Sequence, residues 1–303
     1  MPSVRRPPAW RADLILVLIC FIWGASFIIV KDAVADISIL LFLTLRFSIA
    51  AVLLATMFAF RRTHVPIANS LRGGITAGIF LFTGYVVQTF GLRYTSAAKT
   101  GFITGLYIPL VPVLGGLYYR KRPSGSEVIG IVLAFAGTAM MTVQRDILSI
   151  GRGDLLVACS TIAYAIHILV LARYSKTADV QWLAVLQIAT GAVLGWLTFW
   201  WAAPVTVRWT PAVWIALGVT SVLATAFAFT ALTWAQKHTT ATHAALILSL
   251  EPVFAWLAAW YAAGEVLTLR AAGGAVLILA GIVLAELKPF GADTHPLLSR
   301  EIV

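Results

Sequence analysis

Glu251 is the residue in this chain with the most chemistry open to it. It stands near the middle of an apolar run, 240–262. A charged carboxylate at that depth in a membrane helix costs several kcal/mol unless it is paired, hydrated or protonated. Such a group can load and release a proton, which is what coupled transport needs; it can also stay neutral and hydrogen-bonded as a purely structural group. Pro252 follows it and has no N–H to donate, so a nearby backbone carbonyl loses its usual partner. His167 sits mid-run, and Ser160, Tyr164 and His167 follow i, i+4, i+7 spacing, placing them on one helix face. This histidine is either a packing residue or part of a polar binding surface. Lys99 and His243 lie near the starts of two further runs, where each can guide an anionic group or simply end a helix in solvent. Arg46 lies about a third of the way into the run 38–60, fitting either a snorkelling side chain or a ligand for a carboxylate.

The elements that hold these residues are membrane helices. The chain has 303 residues, 60% of them hydrophobic and 11% charged, against roughly 45–50% apolar and about 25% charged in soluble domains. So few charges cannot cover a soluble surface of this size. Runs long enough to span a bilayer, about 20 residues each, occupy 13–30, 38–60, 72–92, 96–119, 126–143, 154–172, 181–202, 211–234, 240–262 and 269–287. The runs 126–143 and 181–202 are the weakest, because each contains polar or glycine residues. The segment 5–11 resembles the charged start of a signal peptide, but the run after it has no small-x-small cleavage site, so we read it as a retained helix. The short connections leave no room for a soluble catalytic domain.

The net charge of +10 does not indicate nucleic acid, because the basic residues form no continuous stripe. They follow the positive-inside rule instead. With the N-terminus inside, Arg5, Arg6, Arg11, Arg61, Arg62, Arg72, Arg120, Lys121, Arg122, Arg173, Lys176, Lys237, Lys288 and Arg300 fall in the cytoplasm. Lys31, Arg93, Lys99, Arg145, Arg152, Arg208 and Arg270 fall outside. The bias puts both termini in the cytoplasm. Cys20 and Cys159 both lie in apolar runs and read as small core residues rather than a disulfide or metal site.

The chain also aligns with itself. An offset of 144 pairs Gly74 with Gly218, Thr89 with Thr233, Thr95 with Thr239, Leu106 with Leu250, Gly130 with Gly274 and Gly137 with Gly281; it also pairs Lys99 with His243 and Arg93 with Lys237. An offset of 141 pairs Asp13-Leu14 with Asp154-Leu155, Trp23 with Tyr164 and Arg46 with Gln187. Five spans per half is an odd number, so the second half must enter the membrane the other way up. The expected fold is therefore all-α, an integral membrane protein of ten transmembrane helices in two inverted five-helix repeats. The first repeat covers 1–146, the second 147–290, and 291–303 forms a cytoplasmic tail. Gly74 with Gly78, Gly101 with Gly105, and Gly191 with Gly195 have the spacing that lets membrane helices approach closely. Pro109 and Pro112 should bend the fourth helix as Pro252 bends the ninth. Bent helices at corresponding places in inverted halves point to a binding region near the midplane.

Several segments together resemble the EamA family of the drug/metabolite transporter superfamily: Phe21-Ile22-Trp23-Gly24-Ala25-Ser26-Phe27, Leu45-Arg46-Phe47, Ser249-Leu250-Glu251-Pro252-Val253-Phe254-Ala255 and Gly264-Glu265-Val266-Leu267-Thr268, with the ending Gly274 to Gly281. The resemblance covers about 13–287. It departs in the first half, where Arg120-Lys121-Arg122-Pro123 replaces the Gly264-Glu265 segment, so no role of Glu265 is duplicated. The resemblance implies a central cavity lined by the first, third, fourth, sixth, eighth and ninth helices. Trp23, Tyr85, Tyr107, Tyr164, Phe229 and Trp234 would then supply aromatic walls, with Gln88 one turn from Tyr85 as a polar tip. The same residues could instead face lipid, as Trp10, Trp200, Trp201 and Trp209 should at the interfaces. The second helix is not expected to reach the cavity, which favours the snorkelling reading of Arg46.

The function this implies is secondary active transport. The chain would be an exporter of amino acids or related metabolites, working by alternating access with proton coupling or exchange. Its candidate binding residues are Trp23, Tyr85, Gln88, Tyr107, Tyr164, His167, Phe229 and Trp234, with Glu251, Lys99 and His243 as polar or proton-carrying groups. Its partners would be a small-molecule substrate and a bacterial inner-membrane bilayer, without nucleic acid, metal or cofactor, as a monomer or weak homodimer. No Walker-type sequence points to ATP. A multidrug or lipid-related flippase on the same scaffold is the alternative. An intramembrane lipid-processing enzyme would need clustered acids or a His-Glu-x-x-His pattern, and the sequence has neither.

Overall fold

The computed structural model describes residues 9–59, 67–95, 97–119, 123–142, 151–201, 205–263 and 268–287. The helices are α1 (Ala9–Ala33), α2 (Ile39–Phe58), α3 (Ile67–Tyr94), α4 (Ala97–Thr104), α5 (Tyr107–Tyr119), α6 (Gly125–Thr142), α7 (Arg152–Tyr174), α8 (Val180–Thr198), α9 (Pro211–Ser221), α10 (Ala228–His238), α11 (Ala241–Leu248), α12 (Glu251–Ala263) and α13 (Leu269–Leu287). A π-helical segment, Val222–Phe227, joins α9 to α10. Glu265, the Arg120–Arg122 cluster and the tail 291–303 lie outside the described residues, as do Arg5, Arg6, Arg61, Arg62, Arg145, Lys288 and Arg300.

Seven helical stretches are long and apolar enough to cross a membrane: Trp10–Ala33, Ile39–Phe58, Ile67–Tyr94, Arg152–Tyr174, Val180–Thr198, Pro211–His238 and Ala241–Ala258. Three shorter apolar helices, Tyr107–Tyr118, Gly125–Met141 and Leu269–Ala285, fall on the remaining three runs. Large apolar side chains such as Leu14, Val52, Leu117, Val193 and Val276 are exposed along these helices, where a bilayer replaces water as the solvent. Polar residues at helix starts set several boundaries. Asp179 Oδ1 accepts from the N–H groups of Gln181 and Trp182 to start α8. Thr210, followed by Pro211, starts α9, and Thr240 accepts from the His243 N–H to start α11.

Two runs expected as bent helices are broken ones. The chain turns at Gly105-Leu106 between α4 and α5, and at Ser249-Leu250 between α11 and α12. The breaks lie 144 residues apart, the offset at which the halves align. Pro109 and Pro252 do not bend a continuous helix; they stand in the first turns of α5 and α12, where a missing N–H has no intrahelical partner to lose. Pro112 lies inside α5.

Glycines bring the helices into contact. α6 packs against α13, and the contact is reciprocal. A Cβ on Gly137 would meet the Gly274 carbonyl oxygen at 2.4 Å, and one on Gly274 would meet that of Gly137 at 2.5 Å; Gly130 and Gly281 face each other in the same way, at 2.6 and 2.5 Å. Under the 144 offset these two pairs exchange. Gly74 and Gly78 pack on Leu186, Gln187 and Thr190 of α8, while Gly191 and Gly195 receive Phe47 and Thr44 of α2. Gly101 differs: a Cβ there would meet nothing within 4 Å, so it is not a helix-packing residue.

Candidate functional site

The two helix breaks border one internal cavity of about 90 Å³. α1 contributes Trp23 and Ser26, α2 Arg46, and α3 Tyr85, Gln88 and Thr89. Thr100 and Thr104 come from α4, Tyr107 from α5, Tyr164 and His167 from α7, Phe229 from α10 and Glu251 from α12. Seven of the eight sequence-predicted binding residues therefore meet at one place.

Four aromatic rings build the wall. Tyr85 packs edge-on against Tyr164 (5.9 Å) and Phe229 (6.2 Å), and Trp23 lies tilted against Phe229 at 5.3 Å. Gly84 lets Tyr164 close on α3, because a Cβ there would meet the ring at 2.7 Å. Hydrogen bonds then fix the polar tips. Tyr164 donates to Gln88 Oε1 at 2.8 Å, and Gln88 Nε2 donates to Thr104 Oγ1 at 2.8 Å. His167 Nε2 is 2.9 Å from Gln187 Oε1, and Gln187 Nε2 donates to Thr233 Oγ1 at 3.0 Å. His167 thus joins a buried chain of three side chains while its ring lies perpendicular to that of Phe229, with centroids 5.7 Å apart.

Glu251 is the first residue of α12, one position after the break. Gly24 makes room for it. A Cβ at Gly24 would meet Ala255 N at 2.7 Å and the Glu251 carbonyl oxygen at 2.8 Å, so α1 and α12 touch through backbone. The Glu251 carboxyl group has no hydrogen-bond or ion-pair partner among the described residues. A helix N-terminus favours negative charge, and a half-helix ending at a cavity is a known way to hold a charged group inside a membrane protein.

Arg46 is where sequence reasoning misplaced a residue. It does not snorkel: it is 4% exposed and faces the cavity, so the second helix reaches the site. Its Nε donates to Thr225 Oγ1 at 2.7 Å and its Nη2 to the Tyr85 hydroxyl at 3.1 Å, with the guanidinium 4.6 Å above the Tyr85 ring. The π-helical turn creates this arrangement. Within it, the Ala224 carbonyl accepts from Trp23 Nε1 at 2.9 Å and more distantly from Arg46 Nη2 at 3.4 Å. π-turns reroute backbone bonds in this manner and recur at functional sites. Arg46 followed by an aromatic on an apolar helix was the available signal; its depth in the run was not enough to tell interior from lipid.

Two expected residues lie elsewhere, and the side chain of a third is outside the described residues. Trp234 does not line the cavity and instead meets His238, with ring centroids 4.6 Å apart. Five residues separate it from Phe229, which turns it about 140° around the helix. His243 stands at the start of α11, and its Nε2 lies 2.9 Å from Asp13 Oδ1. That carboxylate opposes an anion, so His243 is not an open anion guide. The Lys99 backbone belongs to α4, but its side chain lies outside the described residues. On the other half, Asp154 accepts from Thr95 at 2.5 Å, where the 141 offset makes Asp154 the counterpart of Asp13.

Comparison with known proteins follows this geometry. The model of the EamA-like transporter family matches the chain twice, over residues 10–143 and 151–287. An uncharacterized transporter of Archaeoglobus fulgidus is 32% identical over 285 residues, covering 91% of this chain and 86% of the relative. Uncharacterized transporters YvbV and YoaV of Bacillus subtilis are 27% and 25% identical, covering 94% and 89% of this chain and 94% of each relative. A crystal structure with 18% identity superposes with a TM-score of 0.76, covering 92% of this chain and 97% of that one, which supports the fold.

Proposed function

The chain belongs to the EamA-like transporter family, and from that premise we propose that it exports amino acids or related small metabolites by alternating access, with proton coupling. It is an integral membrane transporter and not an enzyme. In this reading the seven full-length spans and three shorter helices make ten crossings, in two inverted repeats, 1–146 and 147–290. The Lys and Arg bias leaves both termini in the cytoplasm of a bacterial inner membrane, with 291–303 as a cytoplasmic tail.

The observation that carries the reading is the cavity bordered by both helix breaks. Rocking one half against the other would open it first to one side and then to the other. Aromatic faces suit the apolar part of an amphipathic solute, and the few polar tips orient it. Glu251, half-buried at the edge of the cavity, would carry the proton that drives the cycle.

Proteoliposomes loaded with labelled amino acids test this directly. Imposing a pH gradient should accelerate release of at least one class. If flux of every metabolite class ignores the gradient, proton coupling is wrong.

A further inference from the structure

We propose that Arg46 is the cavity's anchor for a carboxylate of the transported solute, held ready by the π-helical turn of the eighth span. This deepens the export reading above and rests on it, since it names the chemical group the cavity selects.

Arg46 has unspent donors. A guanidinium carries five N–H groups. Arg46 directs Nε at Thr225, and Nη2 at Tyr85 and Ala224. All three acceptors are neutral. Among the described residues Nη1 has no acceptor and the side chain has no carboxylate partner, although Arg46 is only 4% exposed. Buried charge is costly when unpaired, and natural proteins pair it or bind a ligand with it. Glu251 lines the same cavity but makes no ion pair with Arg46. Arg46 therefore faces the cavity with no carboxylate partner among the described residues, and a solute can bring its own.

The geometry also selects the kind of anion. Arg46 is the only Lys or Arg among the described residues lining the cavity. A single guanidinium matches a monoanion in charge. The planar fork of arginine matches the two oxygens of a carboxylate. Stacking over Tyr85 fixes the plane of the fork, and Thr225 and Ala224 fix its rotation about Nε. Thr225 is a positioning residue here, because it holds Arg46 rather than the solute; Trp23 holds the π-turn through its bond to the Ala224 carbonyl besides lining the cavity.

The test uses the purified full-length protein and four sets of probes: leucine and phenylalanine, their amides, their decarboxylated amines and their deaminated acids. Binding is read as ligand-induced thermal stabilisation and as competition in counterflow. Wild-type protein should bind the amino acids and the deaminated acids, and reject the amines and amides. Arg46→Gln should weaken the carboxylate probes about 10- to 100-fold, the loss expected for charge-assisted hydrogen bonds. Arg46→Lys, which keeps the charge without the fork, should fall between. Wild-type discrimination and Arg46→Lys stand as evidence even if Arg46→Gln fails to fold. Amides or amines binding as tightly as acids, or acids binding Arg46→Lys and Arg46→Gln like wild type, overturns the anchor while leaving amino-acid export in place. If no member of the panel binds wild-type protein, both the anchor and the amino-acid reading fall.

Discussion

Tyr107 and Glu251 hold equivalent places 144 residues apart: each is the first residue of the second segment of a broken helix, and both line the cavity. From sequence the counterpart of Glu251 was either Tyr107 or Ile108, because one gap could be placed two ways. The breaks resolve it, since Gly105-Leu106 and Ser249-Leu250 fall in register. One half therefore offers a phenol where the other offers a carboxyl group. In the proposed cycle it is the carboxyl group that carries the proton.

Glu251→Gln should accordingly flatten the pH dependence of flux while leaving counterflow exchange measurable. Tyr107→Phe should alter substrate preference and keep the pH dependence. The comparison is made in proteoliposomes at matched internal pH. Unchanged pH dependence in Glu251→Gln would remove this residue from coupling.

Much of this site was legible because membrane helices restrict what polar residues can do. Aromatic residues and Glu251 stood out against apolar runs, and the prolines marked two runs as departing from straight helices, although as bends rather than the breaks the structure has. What stayed hidden depends on rotation about helix axes. Arg46 and Trp234 both lie on apolar helices, and only packing shows that the first faces in and the second turns away. The π-turn at Val222–Phe227 has no sequence signal of its own. Its presence shifts the helix phase, so periodicity counted from Thr220 does not locate Phe229 or Trp234.

Gly137→Ala should destabilise the protein by about 1–3 kcal/mol, the range for overpacking a tight contact. The obstacle is the backbone carbonyl of Gly274, which cannot rotate away as a side chain could. Gly281→Ala should behave alike, because Gly281 faces Gly130 in the exchanged pair. Gly218→Ala is the control: a Cβ there meets nothing within 4 Å. Helix propensity should then make it neutral or stabilising by up to about 1 kcal/mol. Denaturation midpoints in detergent distinguish the three variants, and equal losses in all of them would mean that the α6–α13 contact is not special.

Gln187→Leu should cost about 1–3 kcal/mol, because it strands the buried His167 nitrogen, while the Thr233 hydroxyl keeps its bond to the Phe229 carbonyl. His167 loses its Nε2 partner and Thr233 loses a donor. Gln187→Glu keeps an acceptor for His167 and should recover part of that stability. A thermal scan checks both. If Gln187→Leu melts with wild type, the three-residue chain contributes nothing to the fold.

The loops that follow α1 and α8 are tied together through Asp36. Asp36 Oδ1 accepts from Arg208 Nε at 3.0 Å and Oδ2 accepts from the Thr210 hydroxyl at 2.9 Å. Backbone bonds run beside them, from Arg208 N to Asp36 O at 2.7 Å and from Ser38 N to Thr206 O at 2.9 Å. The hydrogen bond from Arg208, and then that from Thr210, hold the Asp36 carboxyl group below its ordinary range. Folding therefore favours the ionised form. The stabilisation is fully present above the unfolded value, about 3.9, and is lost as pH falls through the lower folded value. Asp36→Asn should melt below wild type at pH 7, and the gap should close on acidification below about pH 4. Pairing midpoints of the two proteins at each pH cancels the titration of all other carboxylates. A gap that stays constant from neutral to acid pH would show that the loops are held by their backbone bonds alone.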